Sequence, residues 1–170
     1  MRFDADSGEL LLHTGVGGSA ARMGHRLTIV MLSWQAEVSW DGSEPSAVEV
    51  TVELDSFEVL LGEGGMTPLS GAEKSLIRTN ALKTLRAKKF PSAVFRSAEI
   101  VRDGETYRLM GQLELAGNAC AQTVEVKVAD GEISAEARVR HSDCGIKPYS
   151  MLMGAMKVAD EVLVTCRVCT

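Results

Sequence analysis

Residues 122–140, QTVEVKVADGEISAEARVR, decide the fold. Val124, Val126 and Val128 alternate with Thr123, Glu125 and Lys127. After Asp130-Gly131, Ile133, Ala135, Ala137 and Val139 alternate with Glu132, Ser134, Glu136, Arg138 and Arg140. A period of two gives each segment one apolar and one wet face, and Asp-Gly supplies the positive φ of a tight hairpin turn. The stretch reads as an antiparallel hairpin with one buried face.

The same alternation extends outward. Val48, Val50, Val52 and Leu54 share a face of 46–55, and Met156, Val158, Val162, Val164, Cys166 and Val168 share a face of 156–168. Asp103-Gly104 separates 93–102 from 105–115, Gly117-Asn118 separates 105–115 from 121–129, and Asp41-Gly42 with Pro45 separates 27–40 from 46–55. Eight strands are expected, at 9–13, 27–40, 46–55, 93–102, 105–115, 121–129, 132–140 and 156–168, with a short extra one near 57–61. The class is all-β, and eight such strands bury their apolar faces by closing into a barrel or by stacking two sheets. One helix interrupts them. Ser70 and Glu73 have the spacing of a capping box, Leu76, Ile77, Leu82 and Leu85 approximate a helical stripe, and Pro91 stops the segment, which places the helix at 70–86.

Length and composition bound the function. A chain of 170 residues suits a single domain over 1–170. Its 18 Lys and Arg against 23 Asp and Glu give a net charge of −5, which does not favour a nucleic-acid backbone. No apolar run approaches the roughly 18–20 residues of a membrane helix. The opening residues, Met1-Arg-Phe-Asp-Ala-Asp-Ser-Gly8, lack a basic region followed by an apolar core. Four cysteines do not make a disulfide scaffold. These features lead to the expectation of a cytoplasmic protein with reduced thiols.

Several stretches carry candidate chemistry. Gly15-Val16-Gly17-Gly18-Ser19-Ala20 has the form of a dinucleotide fingerprint, with Glu37 downstream, but about seven residues separate it from the next strand and leave no room for the required helix. It reads as a loop. His13, His25 and His141 have no metal-ligand spacing; hydrogen-bonded structural roles, or a polar contact near the barrel ends, are expected. Cys166 and Cys169 end a strand, where residues three apart face opposite ways, so they read as packing cysteines. Asp143-Cys144-Gly145-Ile146-Lys147-Pro148-Tyr149, followed by Met151, Met153 and Met156, suits either a lip over a pocket or core filling. An eight-stranded barrel holds either its own side chains or one small ligand, and composition leaves both open.

Read together, ordered blocks of the chain resemble the YceI-like family of polyisoprenoid-binding, lipocalin-like proteins. They are Gly24 to Ile29 (GHRLTI), Val50 to Val59 (VTVELDSFEV), Asn80 to Ile100 (NALKTLRAKKFPSAVFRSAEI), Gly111 to Val128, Ser142 to Ile146 (SDCGI) and Val158 to Val168. The resemblance implies an extended eight-stranded antiparallel lipocalin-like barrel with one helix, enclosing an apolar tunnel for a long isoprenoid lipid, of polyisoprenoid or isoprenoid quinone-like type, with no catalysis and no cofactor. It further implies a homodimer. Carried over by position, Leu27, Ile29, Met31, Val52, Leu54, Phe95, Leu113, Val126, Ala137 and Val164 are tunnel candidates. His25, Asp143 and Tyr149 are candidates for the mouth or for polar contact. Phe95 shares strand parity with Ser97 and Glu99. Cys144 stands where the family usually has Phe, and Gly117 to Gln122 departs from the family's usual turn. Two rival readings are an enzyme on a small apolar substrate, with His25 and Asp143 as an acid–base pair, and a filled barrel serving as an interaction module.

Overall fold

The computed structural model describes residues 1–170. Its strands are β1 (Arg2–Asp4), β2 (Gly8–Gly17), β3 (His25–Met31), β4 (Trp34–Asp41), β5 (Glu44–Glu53), β6 (Phe57–Gly64), β7 (Ser92–Asp103), β8 (Thr106–Leu115), β9 (Asn118–Ala129), β10 (Glu132–Arg140), β11 (Ser150–Met151) and β12 (Met156–Cys169). One helix, α1 (Gly71–Thr84), lies between β6 and β7, and short 3-10 turns occupy Ala21–Met23, Leu54–Ser56, Ser142–Cys144 and Leu152–Gly154. The strand regions follow the alternation in the sequence. The count rises to twelve because β1 and β11 are too short to show a period and because 27–40 is two strands.

All pairings are antiparallel, in the order β1-β4-β5-β7-β8-β9-β10-β12-β2-β3-β6, with β11 against β12. β3 and β4 are consecutive in the chain yet lie toward opposite ends of that order; so do β5 and β6. The ribbon 25–64 therefore turns a corner at Leu32-Ser33 and at Leu54–Ser56, and its two halves lie toward the two edges of a strongly curled sheet. Hydrogen bonds from Leu32 N to Ser56 O (3.2 Å) and from Glu53 N to Ser33 O (3.0 Å) hold the two chains together through the corner. The strand expected over 27–40, long or bent, is thus two strands that part at this corner.

The hairpin turn at Asp130-Gly131 forms where expected, and those expected at Asp103-Gly104 and Asp41-Gly42 are centred one residue later, on Gly104-Glu105 and Gly42-Ser43. The β8–β9 turn sits one residue earlier than Gly117-Asn118: Ala116 (φ 51°) and Gly117 (φ 83°) are its central residues, and Leu115 pairs with Asn118. In β7 a bulge between Ser97 and Glu99 reverses the facing of the strand. It turns Glu99 to solvent, and Ser97 Oγ accepts from Val48 N at 2.8 Å. The opposing Gly111 is required there, since a Cβ would lie 2.0 Å from the Arg96 carbonyl.

α1 is shorter than the expected 70–86. Ser70 and Glu73 form the capping box in both directions at 3.1 Å, and Arg86 takes a left-handed φ of 54° just past the helix. Lys74 Nζ donates to the Leu60 carbonyl (3.0 Å), Arg78 Nε to that of Phe57 (3.0 Å), and a second Arg78 nitrogen to that of Asp55. The helix thus covers the free edge of β6, a row of backbone groups that would otherwise be open to pairing.

The expectation of four reduced thiols is overturned. Cys120 on β9 and Cys144 in the 142–144 turn form a disulfide, 24 residues apart in sequence. Together with Ala116 and Ile146 they make a small buried cluster against which Leu85 packs. Cys166 and Cys169 are free.

Candidate functional site

Only 14 of 170 residues are buried, although the curled sheet surrounds an apolar interior. The reason is a cavity of about 1010 Å³ along the barrel interior, where 46 of the 60 lining residues are hydrophobic. Drug-sized ligand pockets span roughly 300–1,000 Å³, so this space lies at the large end of that range. A filled barrel is not what these residues build.

The strand pleat supplies the lining. Leu27, Ile29 and Met31 enter from β3, Val52 from β5, and Leu54 from the corner of the ribbon. Phe95, Leu113 and Val126 line it from β7, β8 and β9, and Ala137 and Val164 face each other across the β10–β12 pair. All ten tunnel candidates therefore face the cavity. For Phe95 the bulge after Ser97 explains why its neighbour Glu99 does not follow it inward.

The polar candidates divide. His25 and Tyr149 line the cavity near one end. Asp143 does not: it is exposed, in the 3-10 turn, and outside the cavity wall. The turn points it outward while its neighbours Cys144 and Ile146 are buried. His25 Nε2 lies 2.6 Å from the Thr67 carbonyl, an approach permitted by Gly65, whose Cβ would sit 2.5 Å from that nitrogen. His25 is thus fixed by backbone, and Asp143 does not share its cavity, so the acid–base pair is not assembled. His13 is held by the Thr165 hydroxyl (3.0 Å) and His141 by the Asp160 carbonyl (2.8 Å). The fingerprint-like glycines run through the end of β2 into the Ala21–Met23 turn.

Sequence reasoning missed Asp160. Its carboxylate accepts from both the hydroxyl and the backbone N–H of Ser142, and these bonds, the hydroxyl first, hold its pKa below the ordinary value. Asp160 thereby ties the 142–144 turn to a bulged stretch of β12, where register shifts between Val158 and Val162. Trp34 was also not singled out. It is buried at the cavity wall, and its Nε1 has no acceptor in the protein. Cys166 lines the cavity, and burial pushes its thiol up to about 11. Of the methionines expected as a lip, Met151 and Met156 line the cavity, whereas Met153 points fully to solvent.

Comparison with protein families matches residues 13–169 to the YceI-like domain. The fold resembles the crystal structure of Burkholderia cenocepacia BcnA, with a TM-score of 0.70 and 18% identity over 98% of each chain. It also resembles a Campylobacter jejuni YCEI protein, with a TM-score of 0.58 and 15% identity over 84% of this chain and 82% of that one. Comparison with curated proteins found no match.

Proposed function

This chain belongs to the YceI-like domain family, and on that premise we propose that it is a non-enzymatic carrier or store of a long apolar lipid of the polyisoprenoid type. The supporting observation is the cavity: about 1010 Å³, walled mainly by aliphatic side chains. Burying a hydrocarbon guest there gains about 0.8 kcal/mol per methylene. Such a wall grips chains by area and places no directional demand along their length. Polar groups near one end, His25 and Tyr149, suit the head of such a guest.

Native mass spectrometry of freshly purified protein, followed by organic extraction, tests the reading. A near-stoichiometric prenyl lipid, or uptake of an added polyprenol, supports it. A folded protein that yields no lipid and refuses added polyprenols refutes it. Cytoplasmic residence and homodimerisation are further proposals. Sedimentation tests the second. Cell fractionation with thiol trapping tests the first, against which the Cys120–Cys144 bridge weighs, because disulfides persist mainly in oxidising compartments.

A further inference from the structure

The two ends of the barrel carry opposite charge. At one end the β4–β5, β7–β8 and β9–β10 turns display Asp41, Glu44, Asp103, Glu105, Asp130 and Glu132. At the other end four stretches meet: 17–26, 62–91, 115–120 and 140–160. Ala20 N donates to Ala155 O (2.8 Å), His25 reaches Thr67, Asn118 Nδ2 donates to Cys144 O (3.0 Å), and Leu85 packs on the Ala116–Ile146 cluster. Those stretches hold eleven Lys and Arg against four Asp and Glu, and nine against four once Lys74 and Arg78, bonded along the β6 edge, are set aside, whereas the rest of the chain holds seven against nineteen. A molecule of net charge −5 is thus a dipole along the barrel axis, with the surplus positive charge gathered at a single end.

The basic end also carries an exposed apolar lip. Met66 is 79% exposed, Leu152 52%, Met23 48% and Met151 47%, and Met153 is fully exposed. Leu152, Met153 and Gly154 have consecutive left-handed φ values of 52°, 57° and 87°. Non-glycine residues are strained there, and the loop holds two large apolar side chains out in solvent despite that cost. Met23, Met66 and Met151 also line the cavity, so the apolar skin of the lip is continuous with the cavity wall.

We propose that this end docks mouth-first on the surface of an anionic lipid bilayer. The Lys and Arg residues meet the headgroups, and the methionine and leucine lip enters the boundary between headgroups and acyl chains. The guest then passes from bilayer to cavity along one apolar surface. Unbranched methionine side chains conform to irregular lipid packing, and the acidic far end is repelled by the same membrane, which fixes the approach. The inference rests on the reading that the barrel holds a lipid.

Vesicle flotation of the full chain tests it, using phosphatidylcholine vesicles with and without about 30% phosphatidylglycerol. The protein is expected to float with the anionic vesicles at about 0.1 M salt, and to be released at about 0.5 M, where the screening length is well under 10 Å. Arg22→Gln and Lys88→Gln should each weaken binding about fivefold. Leu152→Asp with Met153→Asp should abolish it, whereas Val101→Asp, an exposed position on the outer side of β7, should not. Polyprenol offered in detergent micelles gives the separate readout. A lip variant that loads from micelles yet fails to float upholds the proposal. Wild type that loads from micelles but floats with no vesicle overturns docking alone and points to an acidic protein partner for the lip. Equal flotation on neutral vesicles, or loss on Val101→Asp as large as on the lip variant, also overturns it. Failure to load from micelles refutes the parent reading.

Discussion

Replacing Ala137 by Arg sets a fixed charge into the cavity wall. Ala137 pairs with Val164 on one side, and Ala135, two residues back on the same face, pairs with Val126. Val164, Ala135 and Val126 are all apolar, so the guanidinium gains no partner from the side chains beside it on that face. An empty cavity of about 1010 Å³ leaves room for water around it, and the unloaded protein should keep most of its stability. A hydrocarbon guest removes that water. The desolvation penalty of an unpaired ion is several kcal/mol; taken as about 3 kcal/mol, at tenfold per 1.4 kcal/mol it weakens loading on the order of 100-fold. Both tryptophans of the chain, Trp34 and Trp40, line the cavity, so their fluorescence reports a polyprenol titration directly. Thr123→Arg, the same charge on the wet face of β9, is the control and should titrate as wild type. An Ala137→Arg protein that is folded by circular dichroism and binds within an order of magnitude of wild type would refute the placement of the guest against β10.

Other perturbations follow from particular groups. With the Cys166 thiol raised to about 11, about one molecule in a thousand carries its thiolate at pH 8, so iodoacetamide should label exposed Cys169 and spare Cys166, as peptide mapping would show. The raised value also gives a sign for alkaline stability. Below the ordinary value of 9.0 the contribution is fully present; between about 9 and 11 the unfolded chain ionises first and about 2–3 kcal/mol is lost. Guanidine midpoints should fall over that window less steeply in Cys166→Ala than in wild type. Removing the disulfide by Cys120→Ser with Cys144→Ser frees a loop of 24 residues, worth about 3 kcal/mol, so Tm should drop about 6–10 °C; reductant should lower the wild-type Tm and leave the double variant unchanged. Ser70→Ala removes one arm of the capping box and should cost about 1 kcal/mol in chemical denaturation.

The strand faces were legible because their period is local: Val124 to Val128 and Ile133 to Val139 declare their inward side without reference to any partner. The tunnel candidates, carried over from the family resemblance, keep that parity where they lie on strands, whereas Leu54 enters from the 3-10 turn at the ribbon corner. The rule fails where the backbone breaks step. The bulge after Ser97 changes parity within β7, and the ribbon corner at Leu32-Ser33 divides a stretch whose composition gives no sign of it. The disulfide was not legible because two cysteines separated by 24 residues form no local pattern. Asp143 was misplaced for a related reason: a 3-10 turn has no fixed face, and its neighbour Asp160 makes the structural hydrogen bonds instead. The charge asymmetry of the barrel is invisible in the chain order, since its basic end is assembled from four separate stretches.

The ribbon corner bears on what such a barrel can measure. One ribbon joins the two halves of the sheet, so a slip of register in either half must be absorbed at residues 32–33 and 54–56, where backbone hydrogen bonds are already committed. Girth is therefore stiff. The ends are built differently, from loops and from a helix with no buried residue. A container with a rigid waist and yielding ends sorts its contents by thickness and is lenient about how far they extend.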